Sequence, residues 1–262
     1  MKYEDDVVAL VTDVITKSAP ISEDVMSQAL TSSNVANRRY FLTLAVATAA
    51  IIPISERALA RDRHDHSKTA ASGSDTQKNA VRDQKTFQTA VALRDLWLGH
   101  IFWVRNVSIA AIDKNDSAIM AAEKQAVENA EAIAASIEPF YGAPAKDKFF
   151  KLLAGHYGAV KAYLVAAVAG DVSAQAKAMQ SLTSNADQIA TFLSQANPYL
   201  PKDAVQGLLL AHGGHHIQQI QQLRDRNYDA EARTWKEMKT HVYQIADATA
   251  DALAKQFAKK FF

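Results

Sequence analysis

The chain has 262 residues, no cysteine and almost balanced charge, with 29 Lys plus Arg against 28 Asp plus Glu. The absence of cysteine excludes disulfides, thiolate metal sites, c-type haem attachment and a cysteine nucleophile, and the charge balance offers no electrostatic footprint for nucleic acid. Hydrophobic residues make up 48% of the chain, with only nine Gly and six Pro, which supports a sizeable core and favours helix over a turn-rich β fold.

Residues 4–30 have a weak helical pattern and an acidic start. The next segment is more specific. Asn37-Arg38-Arg39-Tyr40-Phe41-Leu42-Thr43 resembles the twin-arginine export motif. An uncharged stretch runs from Phe41 to Ile54, and Ser55-Glu56-Arg57-Ala58-Leu59-Ala60 offers an Ala-x-Ala cleavage site. A basic leader, a short apolar core and a small-residue cut site predict an N-terminal extension and signal peptide over residues 1–60. Cleavage near Ala60 would give a periplasmic or secreted product. The competing reading is an uncleaved anchor. Fourteen uncharged residues containing Pro53 fall short of the roughly 20 that cross a bilayer, so no stable membrane span is expected after cleavage. A start at Met26 in place of Met1 would give a leader of ordinary length. The resemblance to the twin-arginine pathway implies a partnership with its translocation machinery. It also implies transport of an already folded cargo, often one carrying a cofactor.

Residues 61–83 are polar, with Ser, Gly and Asp mixed in, and predict a flexible linker. His64 and His66 lie there; an amino-terminal copper clip needs His at the third position after the predicted cut, and His64 is the fourth. The folded domain is expected over 84–262 as an all-α bundle of about six helices, at roughly 85–112, 117–138, 146–169, 172–196, 203–226 and 230–258. Asp113 to Asp116, Pro139 to Pro144, Gly170-Asp171, Asn197 to Pro201 and Asp225 to Asp229 supply the breaks.

The domain carries a repeat. His100, His156 and His212 are spaced evenly, 56 residues apart (156 − 100 and 212 − 156). A second polar position follows each one after 29 residues, at Asn129, Asn185 and His241. Lys146-Asp147 and Lys202-Asp203 keep the same register. Three tandem helical hairpins with a 56-residue period explain the pattern. A 29-residue offset across a hairpin places both polar residues about 14 residues, or about 20 Å, from the turn, so all six can share one mid-bundle layer. Their neighbours at helical spacing are mostly apolar, as on a buried stripe.

Three readings of that layer stand side by side. His100, His156, His212, His216 and His241 could ligate a transition metal (Zn, Cu or Fe), with Asn129 and Asn185 orienting them. His212 and His216, one turn apart, add the i,i+4 pair that grips a single ion. Alternatively, the layer only fixes helix register by hydrogen bonding. It could also be a small-molecule or proton-handling pocket, in which an enzyme would use His as general acid and base. Trp97, Trp103 and Arg105 form a second cluster, either a pocket for an anionic cofactor or plain core. Gly213-Gly214 inside a helix pattern predicts a close approach to backbone, most simply by another helix. No Glu-x-x-His pair, phosphate-binding glycine loop or Gly-x-Ser-x-Gly elbow occurs.

Leu93-Arg94-Asp95-Leu96-Trp97, Pro139-Phe140-Tyr141-Gly142, Asn185-Ala186-Asp187-Gln188-Ile189-Ala190 and Asn197-Pro198-Tyr199 together resemble a family of bacterial helical proteins, over about residues 90–262. Members sometimes carry an acetylglutamate-kinase label. That kinase fold needs a parallel sheet and glycine-rich nucleotide loops, and this sequence has neither. The resemblance therefore implies a helical domain and no particular activity. The expectation is an exported helical-bundle binding protein, with a ligand-free structural or partner-binding bundle of the cell envelope as the alternative.

Overall fold

The structure is a computed structural model in which residues 69–261 are described. The export motif, the cleavage site, Met26, His64 and His66 lie outside those residues. The chain folds as α1 (Thr69–Ile112), α2 (Asp116–Ala135), the single turn α3 (Glu138–Tyr141), α4 (Ala143–Ala169), α5 (Val172–Ala196), α6 (Lys202–Arg224) and α7 (Tyr228–Gln256). A 3₁₀ turn over Ala258–Lys260 follows. Six long helices and no strand among the described residues make this the expected all-α bundle.

One boundary differs from expectation. Helix α1 begins at Thr69, inside the stretch that reads as linker. Ala70, Ala71, Gln77, Lys78, Ala80 and Arg82 favour helix, and no proline interrupts them. Local propensity therefore carries the first helix back through a segment whose Ser, Gly and Asp signal a loop.

The turns between α1 and α2, α4 and α5, and α6 and α7 are built alike. Each has one left-handed residue: Lys114 at φ 56°, Gly170 at φ 71° and Arg226 at φ 56°. The next residue caps the following helix. Asn115, Asp171 and Asn227 each accept a bond from a backbone N–H three residues on, at Ala118, Ala174 and Ala230. Their own N–H groups reach back to the carbonyls of Ala110, Ala166 and Gln222. This is the double closure of a Schellman turn joined to an N-cap.

The helices close into a ring. Helix α2 packs between α1 and α4, α5 between α4 and α6, and α7 between α6 and α1. The remaining three, α1, α4 and α6, also touch one another, so they form the inner triangle. This position explains α4. Among the described residues it is the one helix long and apolar enough to span a membrane by length and composition, and most of that stretch is buried inside the bundle. Two apolar clusters fill the interior. One includes Leu93, Trp97, Phe149, Leu153, Val205 and Leu209. The other includes Val104, Val107, Val160, Tyr163, Leu164 and Ile220. The histidines fall between them.

Lys114 and Arg226 occupy a backbone region that costs an L-residue about 1–2 kcal/mol and glycine almost nothing. The glycine at position 170 of the equivalent turn shows the substitution is sterically compatible. Arg226→Gly should therefore raise stability by about 0.5–1 kcal/mol after the entropy of the unfolded chain is counted. Urea unfolding would read this as a higher midpoint at unchanged slope; a lower midpoint would contradict it.

Candidate metal centre

His100 on α1, His156 on α4, and His212 and His216 on α6 converge where the inner helices meet. All four are buried. Each offers a ring nitrogen, and these nitrogens lie within 4.8 Å of one another. Nε2 of His212 is 3.3 Å from Nε2 of His100 and 3.2 Å from Nε2 of His216. The ring centres form a slightly compressed tetrahedron. His100, His156 and His212 make one face, with edges of 6.0, 5.4 and 5.5 Å. His216 is the apex, at 5.5, 6.1 and 4.6 Å from them. No carboxylate belongs to the group.

Burial keeps these imidazoles neutral. Desolvation pushes His100 down to about 3 and His156 down to about 4. His212 and His216 fall well below the usual histidine range, first through burial and then through neighbouring imidazoles, His216 and His100 foremost for His212 and His100 and His156 for His216. A neutral imidazole carries one lone pair and one N–H, which is the ligand form. Nδ1 of His212 has no protein partner, and His156 has only the side chain of Asn185 beside its ring.

The second polar positions act differently from their expected role. Asn129 donates from Nδ2 to the Leu96 carbonyl at 3.0 Å, and Asn185 donates to the Leu152 carbonyl at 2.9 Å. His241 reaches the Leu208 carbonyl with Nε2 at 2.8 Å. A carbonyl only accepts, so Nε2 of His241 bears the proton and is not a ligand atom. Each accepting leucine precedes its own hairpin's histidine by four residues. These three side chains thus pin the outer arm to the inner arm, and of the two asparagines only Asn185 also reaches an imidazole of the cluster, that of His156. His241 sits beside the cluster, its ring 6.4 Å from that of His212 and 5.3 Å from that of His215. It is not a member of the metal group, although the sequence placed it there.

Close approach explains the small residues before the histidines. A Cβ on Gly99 would lie 2.8 Å from Nδ2 of Asn129, and one on Gly155 would lie 3.1 Å from Nδ2 of Asn185. The arms could not come together over a larger side chain. Of the glycine pair in α6, Gly213 is pressed by Leu182 at 2.9 Å, whereas Gly214 faces open space.

The tryptophan and arginine cluster divides. Trp97 is buried and sets its ring edge-on to His100 and to His212, each at 5.8 Å. Trp103 is half-buried against the other apolar cluster and Phe102. Arg105 is committed to an ion pair the sequence did not reveal. Its Nε and Nη2 bond both carboxylate oxygens of Glu231, at 2.6 and 2.8 Å. Glu231 is buried and also accepts from Gln219 at 3.0 Å. One edge of the guanidinium is taken by Glu231 and its face lies over the Trp235 ring, so the anion pocket expected of Trp97, Trp103 and Arg105 does not form. Glu231 lies 126 residues from Arg105 along the chain, so only the ring closure by α7 could pair them.

No family model matches the chain, and no curated protein or solved structure matches it either.

Two expectations follow. Arg105→Ala leaves a buried carboxylate with only an amide partner. It should cost about 2 kcal/mol, below the full cost of breaking a buried pair because the arginine is partly exposed; a midpoint within error of wild type would contradict this. The second concerns acid. The folded values of His100 and His156 lie below the unfolded value of about 6.5, so protons favour the unfolded chain. Stability is full above pH 7 and is lost as pH falls from about 6.5 toward about 4 for His156 and about 3 for His100, with each of these two costing about 2 kcal/mol at pH 5. Denaturant titrations of metal-free protein at pH 7.5 and 5.0 should differ by several kcal/mol; equal stabilities would show that the imidazoles are not held neutral.

Proposed function

We propose that this protein is an exported metal-binding bundle whose ion is held by His100, His156, His212 and His216. The observation that carries the reading is a buried tetrahedron of neutral imidazoles whose ring nitrogens are short of protein partners. Each such nitrogen costs about 1–3 kcal/mol if nothing satisfies it. A hydrogen-bonded layer serves them poorly. Nε2 of His212 approaches two other Nε2 atoms, yet one nitrogen has either one proton or one lone pair to share between them. A single cation satisfies several lone pairs at once.

Geometry and charge narrow the ion. Tetrahedral bonds of about 2.0–2.1 Å put neighbouring ligand nitrogens about 3.3 Å apart, and the two closest contacts are 3.3 and 3.2 Å. Tetrahedral nitrogen sites suit Zn(II) and Cu(I), while Cu(II) and Ni(II) prefer square-planar or tetragonal arrangements. The ligands are all neutral, so the ion's whole charge stays in an apolar interior. A monovalent ion costs least there, which favours Cu(I). The twin-arginine-like leader supports loading before transport, since that pathway takes folded cargo.

Untagged protein titrated with Cu(I) under anaerobic competition should bind one equivalent and gain thermal stability. His216→Ala and His212→Ala should each weaken binding by at least tenfold, whereas His241→Asn should leave it close to wild type. Less than about a tenth of an equivalent of Cu(I) or Zn(II), with no stabilisation, would overturn the reading in favour of a ligand-free structural bundle.

A further inference from the structure

Beneath the imidazoles lies a cavity of about 50 Å³. It belongs to one side of the cluster only. His100, His156 and His212 line it, and His216 does not. Its other walls come from residues farther toward the end of the bundle where α1, α4 and α6 enter: Leu93, Phe149 and Val205, then Ile133, Ile189 and Ile245. Those residues occupy corresponding places on the three inner and three outer helices, which puts the cavity along the bundle's axis. It therefore abuts the triangular face of the histidine tetrahedron, opposite the apex at His216. A ligand entering through that face would meet an ion held by His100, His156 and His212 and would take the fourth place in exchange for His216, because four nitrogen donors already saturate Cu(I).

The walls select what can stand there. Apart from the imidazoles, only Ser136 and Thr249 bring side-chain hydroxyls to a lining otherwise made of Leu, Ile, Val, Phe, Trp and Ala. The Ser136 hydroxyl is already donated to the Ile133 carbonyl, and that of Thr249 to the Ile245 carbonyl. Once an ion engages the imidazole nitrogens on this face, water, which needs two to four polar partners, finds too few, and a cavity of this character takes apolar guests. By the measure in which one water occupies about 10–15 Å³, 50 Å³ holds a molecule of a few heavy atoms. With the imidazole lone pairs committed to the ion, charged and strongly polar ligands have no counterpart in the remaining walls.

We infer that the axial cavity is a binding pocket for a small uncharged diatomic molecule, of the class of carbon monoxide, nitric oxide or dioxygen, which reaches the metal through the open face formed by His100, His156 and His212. This inference rests on the metal-site reading. The site is then more than a store for an ion, because one coordination direction opens onto a gas-sized apolar chamber while the others are closed by protein.

The test uses Cu(I)-loaded protein and carbon monoxide, with bound copper measured in the same sample. One carbon monoxide per copper, seen as a single narrow C–O stretching band in the infrared, is the expected result. Val205→Phe fills the chamber and should keep one equivalent of copper while weakening carbon monoxide binding at least tenfold. Should that variant fold poorly, Ile189→Phe fills the same space from α5. Xenon added to metal-free wild type should perturb the methyl resonances of Leu153, Leu209 and Ile189, and the filled variants should lose that response. Copper bound without carbon monoxide, or carbon monoxide bound equally well by a folded, filled variant, would overturn the inference alone. Failure to bind copper would overturn the metal reading and this one together.

Discussion

The fold turns on one hydrogen bond made three times. In every hairpin a side chain on the outer helix donates to a leucine carbonyl on the inner helix: Asn129 to Leu96, Asn185 to Leu152 and His241 to Leu208. The bond fixes the height of one arm against the other. Because each leucine lies one helical turn before a histidine, it also fixes the height of that histidine. Glycine at 99 and 155 lets the first two bonds form, since a Cβ at either place would meet the asparagine amide. Ala211 stands in the corresponding place of the third hairpin, where the donor is an imidazole. Three hairpins set to one height by like bonds bring three imidazoles to one level, and the inner triangle of α1, α4 and α6 turns them toward a common point.

The site then draws its properties from its surroundings. Apolar side chains above and below remove water, and the loss of hydration keeps the imidazoles unprotonated. The same dryness makes any imidazole nitrogen left without a partner costly. His216 breaks the symmetry of the three hairpins. The corresponding places on α1 and α4 are Val104 and Val160, both buried. One histidine on one side and two valines beside it give the cluster an apex, and so a closed side and an open one. The axial chamber lies on the open side.

Arg105, Glu231 and Gln219 tie α1, α7 and α6 together away from the chamber. This network closes the ring between the last helix and the first. Its geometry is bidentate and its carboxylate is buried, so it specifies how α7 docks more than it adds to stability. The same seam carries Arg94 paired with Asp247. Both arginines come from α1 and both acids from α7, so closure of the ring has its own charge code.

Much of this was written in the linear order of residues. Regular spacing of His and Asn about the helix breaks placed these residues at one height on their hairpins, because a side chain's height along a helix follows from its count from the turn. Apolar neighbours at helical spacing marked the histidines as inward-facing. The three turn residues Lys114, Gly170 and Arg226, each followed by an Asn or Asp cap, carry the same register and could have been found by the same arithmetic. What the sequence could not decide was which polar residues meet. Periodicity gives a residue's level and face but not its partner, so Asn129, Asn185 and His241 seemed equivalent to the ligands although they bond to backbone. Nor could it show Arg105 facing Glu231, whose contact exists only once the ring closes. The tetrahedron and the chamber beneath it are properties of three helices meeting at a point. They depend on distances across the bundle, and those are set by packing.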